Sequence, residues 1–338
     1  MPNFVIEDFD LISGQSLGKV IIAYRTYGTM SPQRDNAILV THGLTSSHLA
    51  AEPPTLDMRI GWGAGQIGPG RLYDTDRYFV ISSNVLGSAY GSTSAASRAP
   101  HLGRRWGPDF PLVTMTDVVR AQERLIAGFG ITRLKAVAGA SLGGFQAYQW
   151  AVTFPEKIER VIATDTADHD ALDMGGAIPG MLERFEFNAA WNGGDPRPGA
   201  LEAELAEMRA ETLVSYGIRA KIARVTGNTV RQEQLLQDEA IAWARLFDPW
   251  VLVSMYRTAA SFDVRDQLWR IRAPFLIVMA DTDAWFPPAI GRAQEARLRG
   301  AGVDLTYHEI ESDLGHFATS EEPEKWHAAA RRFLDRPY

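Results

Sequence analysis

The sequence predicts an α/β fold: a mostly parallel central sheet, covered by helices on both faces and interrupted by a helical insertion. Three observations predict it. Short β-branched runs alternate with helix-spaced segments along both ends of the chain, which is the rhythm of strand–helix–strand units. Residues 167–262 break that rhythm, being helix-rich and strand-poor. And Gly139-Ala140-Ser141-Leu142-Gly143 joins a strand-like run directly to a helix-like one.

Taken in order, residues 4–11 and Val20–Tyr27 read as an antiparallel entry hairpin. The run AILVTH at 37–42 and YFVIS at 78–82 are compact strands. Thr114 with Asp117 three residues on is a capping box, followed by helically spaced Val118, Ala121, Leu125 and Ile126. Gly128 and Gly130 can stop that helix. Residues 134–138 form a strand, a helix runs on to Pro155, and residues 160–164 form the next strand. Phe275–Ala280 and Leu305–Ile310 are later strands, and residues 323–333 a closing helix. The expected organisation is therefore a core of residues 1–166 and 263–338 with a helical lid at 167–262.

Composition narrows the function classes. With 338 residues and 46% apolar content the chain can bury a large core. A net charge of −7 without a basic run argues against nucleic acid or an anionic membrane as partner. There are no cysteines, so disulfides, thiolate nucleophiles and thiolate metal sites are excluded. The opening MPNFVIEDFD has no basic stretch leading into an apolar one, and no run is long enough to span a bilayer. A cytoplasmic enzyme acting on a small molecule, without metal or organic cofactor, is the expectation.

The chemistry centres on Ser141. A strand that turns at once into a helix holds its middle residue in a strained conformation, with the side chain projecting above the sheet. Small flanking residues let backbone and helix approach. The N–H of the next residue, Leu142, and the helix N-terminus then face whatever the serine attacks. A serine nucleophile needs a base steadied by an acid. Of the later histidines, His308 lies within a strand-like TYHEI and His327 within the closing helix, whereas His316 sits in the loop SDLGHF. His316 is the expected base. Strand FLIVMA runs into Asp281-Thr-Asp283; Asp283 reaches further over the sheet edge and is preferred as the acid to Asp281, a turn residue, and to Asp313. The turn after AILVTH offers the N–H of Leu44 as a second oxyanion donor, with His42 bracing that turn. Two further patterns are set aside: Gly63-x-Gly65-x-x-Gly68 lacks a strand before it and a helix after it, and the acidic run at 164–173 reads as a solvated entrance in which His169 stands alone.

These residues resemble the homoserine O-acetyltransferase family of the α/β-hydrolase superfamily along nearly the whole chain. The blocks are THGLT at 41–45, IGPGRLYDTDRYFVISSNVLGSAYGST at 67–93, FPLVTMTDVVRAQ at 110–122, GASLGGFQAYQWA at 139–151, DTDAWFPP at 281–288 and GHF at 315–317. The resemblance implies a Ser141–His316–Asp283 triad, an oxyanion hole from Leu44 and Leu142, and an insertion that forms a lid and a homodimer face. Where that family carries an aspartate for the amino group of homoserine, this chain has Phe317. WNGG survives at Trp191, but no lid arginine stands at the expected spacing, Arg184 being the nearest. FDPWVLV, with Trp250, replaces an Asn-Ser-Tyr element. Losing partners for a zwitterion would cost several kcal/mol on burial. The expectation is a serine esterase for small acyl esters, with Phe317, Trp191 and Trp250 lining its pocket. A homoserine O-acetyltransferase using acetyl-CoA is the alternative, and a non-catalytic binding protein the second.

Overall fold

The structure is a computed structural model that describes residues 2–336. Met1 and residues 337–338, the outermost residues of the two expected core segments, lie outside the described residues. Strands β1 (Asn3–Ile6), β2 (Val20–Tyr27) and β3 (Ala37–Thr41) are followed by a short parallel pair, β4 (Ile67–Gly68) and β5 (Tyr73–Asp74). Next come β6 (Phe79–Ser83), α1 (Met115–Gly128), β7 (Ala136–Ala140), α2 (Leu142–Thr153) and β8 (Val161–Thr164). Five helices then intervene: α3 (Met174–Glu186), α4 (Glu202–Tyr216), α5 (Ile218–Val225), α6 (Thr229–Ala244) and α7 (Pro249–Ala260). The chain finishes with β9 (Phe275–Ala280), α8 (Pro288–Gly300), β10 (Leu305–Ile310), α9 (Ala318–Glu321) and α10 (His327–Leu334).

Eight strands form one sheet in the order β1-β2-β6-β3-β7-β8-β9-β10. The β1–β2 hairpin pairs antiparallel, as does β2 with β6, and every later neighbour is parallel. Parallel strands buried on both faces need unbroken apolar runs. AILVT of β3 and FLIVMA of β9 supply them, each residue buried. The sheet is the frame of an α/β-hydrolase fold, and the ends of β3, β7, β8, β9 and β10 all open onto the same edge.

Helix α1 starts as its sequence dictates: Thr114 accepts from the Asp117 N–H at 3.2 Å while Asp117 accepts from the Thr114 N–H at 2.9 Å. Helix α2 is buried on almost every side, and its polar residues are correspondingly partnered. Gln122 of α1 accepts from the Trp150 indole and donates to Gln146, which donates to the His42 carbonyl at 3.0 Å. This amide relay ties both helices to the turn after β3. The insertion packs α4 on α6 and α3 on α7, and it grips the core through charges. Arg59 pairs with Glu239 at 2.7 Å, Lys221 with Glu321 at 2.6 Å, Arg105 with Asp248, and Arg224 with Asp313.

Several elements differ from the sequence reading. β1 ends at Ile6, because Phe9 donates to the Gly18 carbonyl and accepts from the Leu17 N–H in a separate tight excursion. The strand expected at 134–138 runs from Ala136 to Ala140, Leu134 making only an isolated bridge to Ile158. The closing helix begins at His327, not 323: Pro323–Lys325 is a single 3-10 turn, and Trp326 is pulled into the core, its indole donating to the Thr319 carbonyl at 2.9 Å. No helix among the described residues is long and apolar enough to cross a membrane.

A close backbone approach lies beneath Ser141. A Cβ on Gly143 would sit 2.2 Å from the Thr41 carbonyl oxygen, a backbone atom locked in β3. Gly143→Ala should therefore lower the unfolding free energy by about 3 kcal/mol, the upper range for overpacking. Gly300→Ala, with nothing within 4 Å of its added carbon, should change it by less than about 1 kcal/mol. Urea unfolding of the two variants checks the contrast; equal midpoints would contradict it.

Candidate active site

Ser141 stands between β7 and α2 with φ 57° and ψ −126°, a conformation L-residues avoid. Its backbone is held from three sides. The Ser141 N–H donates to the Thr164 carbonyl at 3.0 Å, and its carbonyl accepts from the Gly144 N–H and the Thr166 hydroxyl, each at 2.8 Å. Thr41 at the end of β3 donates to the Gly143 carbonyl at 2.8 Å, pinning the first turn of α2. As the first residue of α2, Leu142 has an N–H without an intrahelical acceptor. Among the described residues, no acceptor takes the Leu44 N–H either.

His316 lies in a 3-10 turn after β10, and its Nδ1 meets the Asp283 Oδ2 at 2.7 Å. The other oxygen of Asp283 accepts from the N–H groups of Trp285 at 2.8 Å and Phe286 at 3.1 Å. Asp283 is thereby fixed as an acceptor facing the ring. Burial alone would lower the imidazole pKa, but Asp283 and, further off, Asp165 outweigh it and hold the value above the ordinary one. The rings of Tyr216, Phe286 and Trp285 surround the imidazole at 4.8, 5.7 and 6.2 Å. Ser141 and His316 open into one cavity of about 60 Å³, together with Gly43, Leu44, Asp57 and Phe317. A strained serine, a buried imidazole and a carboxylate behind it can perform nucleophilic acyl chemistry.

The structure sorts the other expectations. Asp281 accepts from the Ser312 N–H at 2.8 Å, shaping the turn, and Asp313 pairs with Arg224 at the surface. His42 braces the turn after β3: its Nδ1 bonds the Gly43 carbonyl at 2.8 Å and its Nε2 accepts from the Val85 N–H at 3.1 Å. Burial pushes its pKa down to about 4, so the ring stays neutral. Phe317 lines the cavity, but Trp191 and Trp250 do not. They stack on each other at 5.1 Å inside the insertion, and the Trp250 indole donates to the Gly194 carbonyl at 2.8 Å. These two aromatics are core, because their faces are used up by one another and by Phe185.

The acidic run is not a solvated entrance. Asp165 and Asp168 are buried; Asp168 holds Arg297 through two bonds, at 2.6 and 2.7 Å, and is met by His169 Nδ1 at 2.9 Å. Asp170 and Asp173 accept from the first N–H groups of α3. Residues 164–173 are thus spent on packing and capping.

An arginine in the insertion was also missed. Arg184 faces α4, pairing with Glu204, Glu207 and Glu211. Arg209 of α4, only 2% exposed, reaches the cavity wall instead, donating to Asp57 Oδ2 at 2.9 Å and to the Thr45 hydroxyl at 3.0 Å. Burial would raise the Asp57 pKa, but Arg209 and Arg59 outweigh it and keep the carboxyl below its usual value. The sequence carries a signal for it: Leu205, Arg209, Leu213 and Tyr216 lie on one buried helical stripe, and an arginine on such a stripe is bound to something.

Comparison with known proteins agrees with this fold. Residues 36–323 match the α/β-hydrolase fold family. The homoserine O-acetyltransferase of Geobacter metallireducens is 34% identical over 347 residues, covering 96% of this chain and 94% of that protein. The crystal structure of esterase E22 superposes with a TM-score of 0.87 at 26% identity, covering 99% of both chains. That of homoserine O-acetyltransferase from Bacillus anthracis superposes at 0.84 and 26%, covering 99% of this chain and 97% of that one. The chain belongs to the α/β-hydrolase fold family and, within it, to the family of the homoserine O-acetyltransferases.

Proposed function

We propose that the protein is a serine esterase that cleaves small, short-chain acyl esters, acetates above all. The observation that carries this reading is the wall beside the imidazole. Phe317, adjoining His316, presents a ring to the cavity, and the ammonium of Lys221 lies 5.2 Å from that ring. An acceptor bearing its own ammonium would meet an apolar surface with a cation behind it. The carboxylate in the cavity, Asp57, is already held by Arg209 and Arg59, so burying that ammonium without a free partner would cost several kcal/mol.

In this reading Ser141 attacks the ester carbonyl while His316 takes its proton, and Asp283 stabilises the resulting imidazolium. The N–H groups of Leu44 and Leu142 hold the oxyanion. His316 then passes the proton to the departing alcohol, activates a water, and the acyl-enzyme is hydrolysed. The chemistry needs neither metal nor organic cofactor, and the helical insertion acts as a lid over the cavity, in a cytoplasmic enzyme.

A second reading, acyl transfer from acetyl-CoA to homoserine or a related alcohol, is favoured by one observation: buried Arg209 stands behind the cavity wall, bonded to Asp57 and Thr45 that line it. Its guanidinium already serves Asp57 and Thr45, however, so an acceptor carboxylate would have to compete with a buried ion pair.

Four outcomes follow. Ser141→Ala should lower p-nitrophenyl acetate hydrolysis roughly 10³-fold or more, and the acetate should exceed the hexanoate at least about ten-fold in kcat/KM, given the small cavity. Because only the neutral imidazole is a base and its pKa is raised, kcat/KM should fall as pH drops through an ionisation above 6.5; a limb below that value would contradict the site's electrostatics. With acetyl-CoA and homoserine together, free acetate should outpace O-acetylhomoserine in a product assay. Fast formation of O-acetylhomoserine would overturn the esterase reading in favour of the second.

A further inference from the structure

Asp165 is a buried carboxylate that the reaction just described does not use. It follows directly on β8, with φ 44°, and is 1% exposed. Its backbone N–H donates to the Val278 carbonyl at 2.9 Å, which seats it against β9. Its two oxygens face different segments. Oδ1 accepts from the Ala280 N–H at 2.8 Å, and Oδ2 accepts from the Thr319 hydroxyl at 2.6 Å.

Those partners are the roots of the candidate acid and base. Ala280 ends β9 and opens the turn in which its own carbonyl accepts from the Asp283 N–H at 3.4 Å. Thr319 lies three residues beyond His316, in the short helix that continues the histidine turn. Segments 33 residues apart in sequence, joined at their tips by the Asp283–His316 bond, are therefore joined at their bases by a single carboxyl group. We propose that Asp165 is a positioning residue: it clamps the strand end that carries Asp283 to the turn that carries His316, and so holds the imidazole on its acid.

The chemistry of the side chain suits the task. A carboxyl offers two divergent acceptors, so it can take an N–H on one side and a hydroxyl on the other. Placing it there is otherwise costly, since a buried acid beside a second acid is destabilised. The ionisable groups acting on it are Asp283, on the turn after β9, and His316, on the turn after β10; Thr319 of α9 is neutral. Burial and then Asp283 push its carboxyl up to about 7, and His316 draws it back. The position of Asp165 thus also places a second carboxyl, ionised as pH rises through about 7, within electrostatic reach of the imidazole, beside Asp283 and the rings of Tyr216, Phe286 and Trp285. The clamp rests on the esterase reading only for its kinetic consequence; the His316–Asp283 geometry it maintains is a property of the folded chain.

The full-length protein provides the test. Thr319→Val keeps the carboxyl and its tie to β9 while cutting the tie to the histidine turn. It should lower kcat for p-nitrophenyl acetate roughly ten-fold with KM within about two-fold, as expected for a misplaced base. It should also shift or broaden the low-field proton resonance of His316 Nδ1, and Thr319→Ser should restore both. Asp165→Asn keeps the Ala280 bond through Oδ1 and can bond Thr319 only in reverse, its Nδ2 donating to the hydroxyl oxygen, but it removes the ionisable carboxyl. The imidazolium then loses a stabilising neighbour, so the acidic limb of kcat/KM should move to lower pH, by roughly half a unit. Wild-type kcat and a wild-type proton resonance in Thr319→Val would overturn the proposal. So would a Thr319→Ser variant as impaired as the valine, or an unmoved pH profile in Asp165→Asn. If Ser141→Ala hydrolyses the ester as well as the parent, the esterase assignment fails, while the proton resonance still decides the clamp.

Discussion

Everything at this site depends on keeping one residue, Ser141, in a backbone conformation that it would not adopt alone. Strain of this kind costs of order 1–3 kcal/mol and survives only where the surroundings leave no alternative. Here they leave none. The carbonyl of Ser141 is taken by Gly144 and Thr166, its N–H by Thr164, and the next turn of helix is pinned by Thr41. Each of those bonds requires β3, β7, β8 and α2 to approach within the reach of a hydroxyl. Only glycine at 139, 143 and 144 allows it, since a Cβ at any of these would come within 2.4 Å of a neighbouring atom. The exposed hydroxyl is thus a product of the whole sheet edge.

Much of this was legible in the sequence, and the reason is locality. The strand–glycine–serine–glycine–helix pattern is a short-range signal, and the turns bearing Asp283 and His316 are read from the strands that precede them. Continuous apolar runs gave away the parallel strands because burial on both faces leaves no room for alternation. The capping box at Thr114 was equally local, and its geometry is as the spacing requires.

What escaped was set by packing between distant segments. Trp191 and Trp250 could serve a pocket or a helix core on composition alone; only their mutual stacking decides. The run at 164–173 looked solvated because carboxylates usually are. Its first members are instead at the end of a central strand, where the sheet and α8 enclose them. Arg209 escaped because the family resemblance points to an arginine ahead of WNGG, whereas this one lies beyond it, on an apolar stripe of α4. The closing helix began late because Trp326 found a buried acceptor that no local rule foresees.

The contact between Arg209 and Thr45 has a consequence for how such proteins diversify. Thr45 belongs to the turn beside Leu44, and Arg209 belongs to the insertion, so the roof and the floor of the cavity share a side-chain bond. A graft that exchanged the insertion for a foreign one would leave Asp57 with only Arg59 of its two arginine partners, and would free the turn at Thr45. Substrate range in this architecture therefore cannot be reassigned by swapping a module. It has to drift through single positions, such as 317, that line the cavity and carry no hydrogen bond or ion pair across the seam.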